Sequence, residues 1–188
     1  MVALAGIDLE TYSPQGPPWR PASDDPIVCA SIALYDDDLW IVVGLIAPPR
    51  AEAKLIRKLL NLIKVVEGIK LWFYGYGDGK FDANYLVFRA RKYDLLRDAK
   101  EAVEKGVNID VNDLAKEVLG LPQSYRLSMS KCEHILGLAR TIAKHEVNGS
   151  NFHHYYELWL KSGNLTPMWY NQEDAVMTVR IFQRLRKT

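Results

Sequence analysis

Residues 27–46 read IVCASIALYDDDLWIVVGLI, and this stretch decides the fold. Two runs rich in apolar and β-branched residues, 27–35 and 39–46, flank the acidic triplet Asp36-Asp37-Asp38. A polar triplet between two such runs is typical of a tight turn, so the stretch predicts two neighbouring strands. An earlier apolar run at 2–9, which ends in acids, predicts a buried strand beside them. Together the three runs predict a meander.

Helices follow the strands along the chain. After Pro48 and Pro49, apolar residues recur every three to four positions as far as Gly68, which indicates an amphipathic helix. Residues 69–74, IKLWFY, predict a strand that a crossover adds to the same sheet. Further helices are predicted over 81–106 with a break near Asp94, over 111–119, over 150–161, and at the end of the chain as far as Arg186. Strands first and helices later predict an α/β fold with a mixed β-sheet flanked by α-helices.

The composition is that of an ordinary globular domain. The chain has 188 residues, of which 48% are hydrophobic and 25% charged, so we expect one domain over 1–188 and exclude a disordered chain. The 24 basic and 23 acidic residues leave a net charge of +1, which excludes a general attraction to polyanions. Any contact with nucleic acid must therefore be a local patch. Cys29 and Cys132 have no partner at ligand spacing, which excludes a zinc knuckle.

No segment predicts membrane insertion or export. The first residues, MVALAGIDLE, reach an acid too early for a signal peptide, and the run LWIVVGLIAPP is too short to cross a bilayer. We therefore expect a cytoplasmic protein with no membrane contact. Residues 13–26, rich in proline and polar residues, predict an ordered or half-ordered loop between two strands.

Two acids, Asp8 and Glu10, close the first predicted strand. Residues two apart on a strand point to the same face, so the two carboxylates would project side by side. Two unpaired like charges at the edge of a core are costly unless cations neutralise them. The alternative is that the strand simply ends and both acids are solvated, and spacing alone favours this alternative.

A third acid, Asp82, follows the glycine-punctuated loop YGYGDGKF. Such glycines let the backbone turn tightly at the carboxyl end of a strand, where ligand sites gather in α/β sheets. The loop is not a phosphate-binding P-loop, because Tyr74 and Phe81 stand where glycine and Ser or Thr are needed. Asp82 can also be explained as an acid at a helix N-terminus, favoured by the helix dipole.

The final acidic segment is WYNQED, residues 169–174. Tyr170 and Asp174 share a helix face if the helix starts at Thr166 with proline at its first position. A start with Asn171 as N-cap would leave Tyr170 outside the helix. Sequence leaves both starts open.

In this order, the acidic motifs resemble those of the DEDD superfamily of 3′-to-5′ exonucleases, tyrosine subtype. The likeness is to the proofreading exonuclease domain of family B DNA polymerases and its stand-alone relatives. The matching motifs are Asp8-Leu9-Glu10-Thr11, then Phe81-Asp82 with Tyr85-Leu86, and finally Tyr170 with Asp174. The resemblance implies a ribonuclease H-like fold for nearly the whole chain. Relatives usually carry an asparagine in the second motif where this chain has Gly77, a change that bears on how the substrate strand is placed.

The resemblance also implies a two-metal mechanism with Mg²⁺ or Mn²⁺, since carboxylates are hard oxygen ligands. Asp8 would bridge both ions, Glu10 and Asp174 would hold the ion that activates water, and Asp82 would support the other largely through water. Tyr170 would orient the attacking water. The expected activity is removal of nucleoside 5′-monophosphates from 3′ ends of single-stranded DNA.

Substrate contacts are expected close to the acids. The residues predicted to bind substrate are Thr11, Tyr76, Lys80 and Phe81. Arg89 can contact phosphate too, although a solvated helix face is the favoured explanation. Two other functions remain open: RNA can replace DNA as substrate, or the chain can be an inactive ribonuclease H-like module that binds a polymerase or repair protein.

Overall fold

The computed structural model describes residues 3–14, 24–140 and 147–188, and these residues form an α/β fold. Their sheet has five strands in the order β3-β2-β1-β4-β5. The strands are β1 Leu4–Thr11, β2 Ile27–Asp36, β3 Leu39–Ile46, β4 Ile69–Trp72 and β5 Val107–Asp110. β1 pairs antiparallel with β2, and β2 with β3, whereas β1 and β5 both lie parallel to β4. This mixed sheet confirms the predicted fold class and is compatible with a ribonuclease H-like fold.

Helices pack against both faces of the sheet. In the described residues they are α1 Glu52–Lys64, α2 Asp82–Arg91, α3 Leu96–Glu104, α4 Val111–Val118, α5 Met129–Ile135, α6 Phe152–Ser162 and α7 Thr166–Leu185. A short 3₁₀ turn, Pro49–Ala51, leads into α1. α1, α2 and α3 share one hydrophobic cluster with Ile7, Leu9 and Ile32 of the sheet. On the other face, α4, α5 and α7 pack around Leu4 and Leu71.

Most predicted elements are present, with small shifts at their ends. The last predicted strand of the sheet ends at Trp72, two residues earlier than expected, because Tyr74 adopts a positive φ of 60° that ends the extended chain. The predicted break in the helical region lies at Asp94, which has a φ of 58°. α7 begins at Thr166, so Tyr170 lies inside it and the start with Asn171 as N-cap is wrong.

Two elements were missed. β5 is only four residues long, and its last residue, Asp110, also accepts a hydrogen bond from the amide of Asp113 as the N-cap of α4. β4 is equally short, but half of β5 is Asn108 and Asp110, residue types that are rare in strands. α5, with seven residues, is too short to show a helical repeat.

The remaining expectations concern the loop and the membrane. Of the predicted loop at 13–26, residues 15–23 lie outside the described part of the chain. Within the described residues, no helix combines the length and the apolar character needed to cross a bilayer.

Candidate metal centre

Asp8 and Glu10 lie on β1, the central strand of the sheet, and face α7. The residues that alternate with them, Ile7 and Leu9, point to the opposite face and are buried against the first hydrophobic cluster. β1 continues to Thr11, and both acids are partly buried. The interpretation that the strand ends and leaves them solvated is therefore wrong.

α7 brings the final acid to the same place. Asp174 is buried at the middle of the helix, one turn after Tyr170. The helix lies unusually close to β1 at Gly6, where an added Cβ would be 2.1 Å from the carbonyl oxygen of Ala175. As a result, carboxylate oxygens of Asp8, Glu10 and Asp174 all lie within 4.8 Å of one another.

Asp82 is positioned by the loop before α2. The amide of Ala83 donates to the carbonyl oxygen of Gly75 at 2.7 Å, and the amide of Phe81 donates to that of Tyr74 at 3.2 Å. A Cβ at Gly75 would lie 2.7 Å from Oδ2 of Asp82, so the loop closes tightly over this buried carboxylate. Asp82 is not one of the three acids whose carboxylate oxygens lie within 4.8 Å of one another. Its charge nevertheless raises the pKa of both Asp8 and Glu10.

The pKa values show that burial and mutual repulsion of the carboxylates outweigh the cation beside them. Burial raises the pKa of Asp8 and of Glu10 well above the ordinary range, and the charge of Asp174 raises both further. Burial, followed by the charges of Asp110 and Asp174, raises the pKa of Asp82 in the same way. For Asp174, burial outweighs the nearby cation and raises the pKa to about 6. Carboxylates gathered at this spacing suit a hard divalent cation such as Mg²⁺ or Mn²⁺, which takes oxygen ligands.

Arg140 is the nearby cation, and sequence reasoning missed it. Its guanidinium forms ion pairs with Asp174 and, at 2.7 Å, with Glu133, and it lies 5.8 Å from the ring centre of Tyr170. Arg140 lies in the irregular segment after α5, so no helical or strand spacing relates it to the acids. Asn171 was considered only as a helix cap, but its side-chain amide donates to Oδ2 of Asp8 at 2.5 Å. Its position three residues before Asp174 on a helix facing β1 is a signal that could have found it.

Of the four residues predicted to bind substrate, two lie beside the acids. Thr11 and Phe81 line a cleft of about 140 Å³ together with Glu10. Tyr76 packs its ring against the first hydrophobic cluster. Lys80 forms ion pairs with Asp113 at 2.7 Å and Asp110 at 3.7 Å. As substrate contacts all four stay predictions, and the ammonium group of Lys80 is already paired with two carboxylates.

The second-motif loop also shows why glycine suits position 77. Gly77 has a φ of 110°, a conformation that side-chain-bearing residues rarely adopt. Its carbonyl oxygen accepts a hydrogen bond from the side-chain amide of Asn84 at 2.8 Å. Glycine in place of the usual asparagine therefore suits the backbone conformation of this loop.

A scan against protein-family models found no match for the chain, and a search of the curated proteins found none either. The likeness to DEDD exonucleases therefore remains a hypothesis that rests on the motifs and on the geometry of the acidic cluster.

Proposed function

We propose that the chain is a metal-dependent 3′-to-5′ exonuclease that hydrolyses phosphodiester bonds at 3′ ends of single-stranded DNA. One observation carries the proposal. Carboxylate oxygens of Asp8, Glu10 and Asp174, from the first and last elements of the chain, lie within 4.8 Å of one another. Holding three acids so close together, one buried and two partly buried, is costly, and a bound divalent cation would lower that cost.

The three carboxylates would hold one Mg²⁺ or Mn²⁺, and Asp82 would support a second ion. When bound, such ions polarise the phosphate, lower the pKa of water and stabilise the leaving oxygen. Asn171 holds the Asp8 carboxylate by a hydrogen bond and so fixes its orientation. Arg140 does the same for Asp174 through their ion pair. Both residues would keep the ligands in place between turnovers.

Tyr170 would act as a hydrogen-bonding group and not as a base. Burial, followed by the charges of Asp174, Glu10 and Asp8, raises its pKa above the ordinary value of 10. The hydroxyl therefore keeps its proton near neutrality, hydrogen-bonds the Asp174 carboxylate, and can accept a hydrogen bond from a water at its oxygen. This supports the role of orienting the attacking water.

The cleft beside Glu10 suits the end of a single strand. Phe81 stacks on Tyr85 with ring centres 4.6 Å apart, so its ring is held in place by a second aromatic. A terminal base that stacks on a fixed ring gains about 1–3 kcal/mol. Stacking is tolerant of sequence, which fits an exonuclease that removes any nucleotide in turn.

The direct test is degradation of a 5′-labelled single-stranded DNA with Mg²⁺, with Mn²⁺ and with a chelator. We expect stepwise shortening from the 3′ end with metal only. Asp8→Asn should lower the rate by about 100-fold or more, since it removes a ligand charge at the reacting centre. Asp37→Asn, which makes the same change in the exposed turn after β2, is the matched control and should keep full activity. Intact DNA in every metal would overturn the proposal, and RNA of the same sequence tests the alternative substrate.

The ion pair of Arg140 with Asp174 favours a second candidate, a non-catalytic module that binds a polymerase or repair protein. A guanidinium already supplies positive charge to the cluster, as a metal would. This candidate expects DNA and RNA to stay intact in every metal.

A further inference from the structure

β3 is an edge strand with an apolar surface. Leu39 is 64% exposed and Ile41 is 52% exposed, although both stand in a regular strand. Among the described residues, no strand pairs with the outer edge of β3. The strand contains no charged residue and no proline, the usual features that protect an edge from pairing.

The hairpin geometry shows which backbone groups are unpaired. Asp37 and Asp38 both have positive φ and form a two-residue turn, so Asp36 and Leu39 make its closing hydrogen-bonded pair. Bonding then alternates along β3, and odd-numbered residues bond to β2. The amide of Ala47, which donates to the carbonyl oxygen of Val28 at 2.9 Å, fits this alternation. The residues whose N–H and C=O groups point outward are Trp40, Val42, Gly44 and Ile46.

We propose that β3 pairs antiparallel with β3 of a second copy of this chain, about a two-fold axis at Val43. Hydrogen bonds form only between outward-pointing residues, and this register uses all four of them. It sets Val42 opposite Gly44, and Trp40 opposite Ile46. The two five-stranded sheets would then join into one continuous sheet, and the contact would be isologous.

Charge complementarity favours a second copy over other occupants. In this register the acidic turn at 36–38 of one copy comes beside the segment that follows β3 in the other. That segment carries the exposed cations Arg50, Lys54 and Lys58. Neither Asp36 nor Arg50 forms an ion pair within the described residues. The two-fold axis repeats this contact, so opposite charges meet at both ends of the paired strands.

The same register also covers the exposed apolar side chains. A groove of about 270 Å³ lies between the end of β3 and α1, lined by Leu45, Ala47 and neighbouring residues. A two-fold axis normal to the sheet keeps the α1 faces on one side. Ile41 of the second copy then lies opposite Leu45, and its Leu39 lies opposite Ala47. Both side chains would enter the groove and so lose their contact with water.

Light scattering after size exclusion, over a range of concentrations, tests the proposal with the full chain. We expect a mass twice the 21.4 kDa of one chain. Asp36→Lys and Arg50→Glu should each raise the dissociation constant of the dimer by at least about tenfold, because each places like charges together. The double variant restores opposite charges and should recover the wild-type constant. Glu104→Lys, at an exposed site on α3, is the control of the same charge change and should leave the dimer unaltered.

Amide hydrogen exchange gives a readout that needs no substitution. The amides of Val42 and Gly44 should become protected as concentration rises, whereas those of Ile41 and Val43 are bonded to β2 and should stay protected throughout. A single-chain mass at all concentrations, or a dimer in which neither the charge variants nor these two amides respond, would overturn the proposal. Neither measurement depends on nuclease activity.

Discussion

Glu10 shows how a single partly buried acid links stability to pH. Burial first, and then the charges of Asp174 and Asp82, raises its pKa in the folded chain above the ordinary value of 4.5. The folded chain therefore holds this proton more tightly than the unfolded chain does. Its contribution to the free energy of unfolding is complete below pH 4.5 and is lost as the pH rises through the raised value. Above pH 4.5 this difference in proton binding therefore destabilises the metal-free protein, and the loss grows as the pH rises towards the raised value.

Glu10→Gln removes that titration while keeping the shape of the side chain. We expect the free energy of unfolding of the metal-free protein near neutrality to rise, because the neutral amide has no difference in proton binding between the folded and unfolded states. Urea denaturation in the presence of a chelator measures it. Below pH 4.5 the two proteins should have equal stability, because the group is protonated in both states. An equal gain at both pH values would contradict the electrostatic explanation.

The ion-pair partners of the arginine side chains could not be predicted from the sequence. Arg89 was expected on a solvated helix face, but it is buried and its Nε donates to Glu52 at 2.8 Å. Its partner stands 37 residues earlier in the chain, and only the fold brings the two together. The same holds for Arg140 and Asp174. The acids themselves were singled out by the resemblance of their motifs, since spacing alone favoured a solvated Asp8 and Glu10.

The contact between β1 and α7 is the packing feature that builds the site. Gly6 has no side chain that would hold the helix away from β1. Asp174 immediately precedes Ala175, the helix residue that lies against Gly6. Gly6→Ala would place a Cβ 2.1 Å from a backbone oxygen, so the helix must shift. We expect a loss of about 3 kcal/mol in unfolding free energy, at the upper end of ordinary overpacking. Metal affinity should fall as well, because Asp174 moves with the helix.

Gly149→Ala is the matched control for this change. A Cβ at Gly149 meets no atom within 4 Å, so stability should change by less than about 1 kcal/mol. Thermal denaturation measures stability, and titration with Mn²⁺ measures affinity. If Gly6→Ala bound Mn²⁺ as tightly as the wild type, the close approach of the helix would not be what positions Asp174.

At the scale of elements, sequence predicted the long segments well and the short ones poorly. β3 was predicted with its observed bounds, because eight consecutive apolar residues between an acidic turn and two prolines leave little choice. β5 was missed, although it flanks the crossover strand, because two of its four residues, Asn108 and Asp110, are of types that are rare in strands. The start of α7 was left open, because Thr166 and Asn171 both satisfy capping rules locally. Packing of Tyr170 in the core decides it.

At the scale of the whole molecule, the acidic cluster joins the two ends of the described chain. Asp8 comes from the first strand and Asp174 from the last helix, so a cation held by both would bind the folded state and not the unfolded one. Ligands of this kind stabilise a protein by mass action. At a concentration 100 times the dissociation constant, the gain is about 2.7 kcal/mol.

Thermal unfolding with Mn²⁺ and with a chelator tests this linkage. For a chain of this size, about 2.7 kcal/mol corresponds to a rise in Tm of roughly 5–10 °C. The rise should be largest near neutrality and should shrink below pH 6, because Asp174, whose pKa is about 6, and its neighbours then hold protons that compete with the metal. Asp8→Asn should abolish the rise, whereas Asp37→Asn should keep it. A rise of equal size in all three proteins would mean that Mn²⁺ binds elsewhere, and a rise that does not depend on pH would mean that its ligands are not these carboxyl groups.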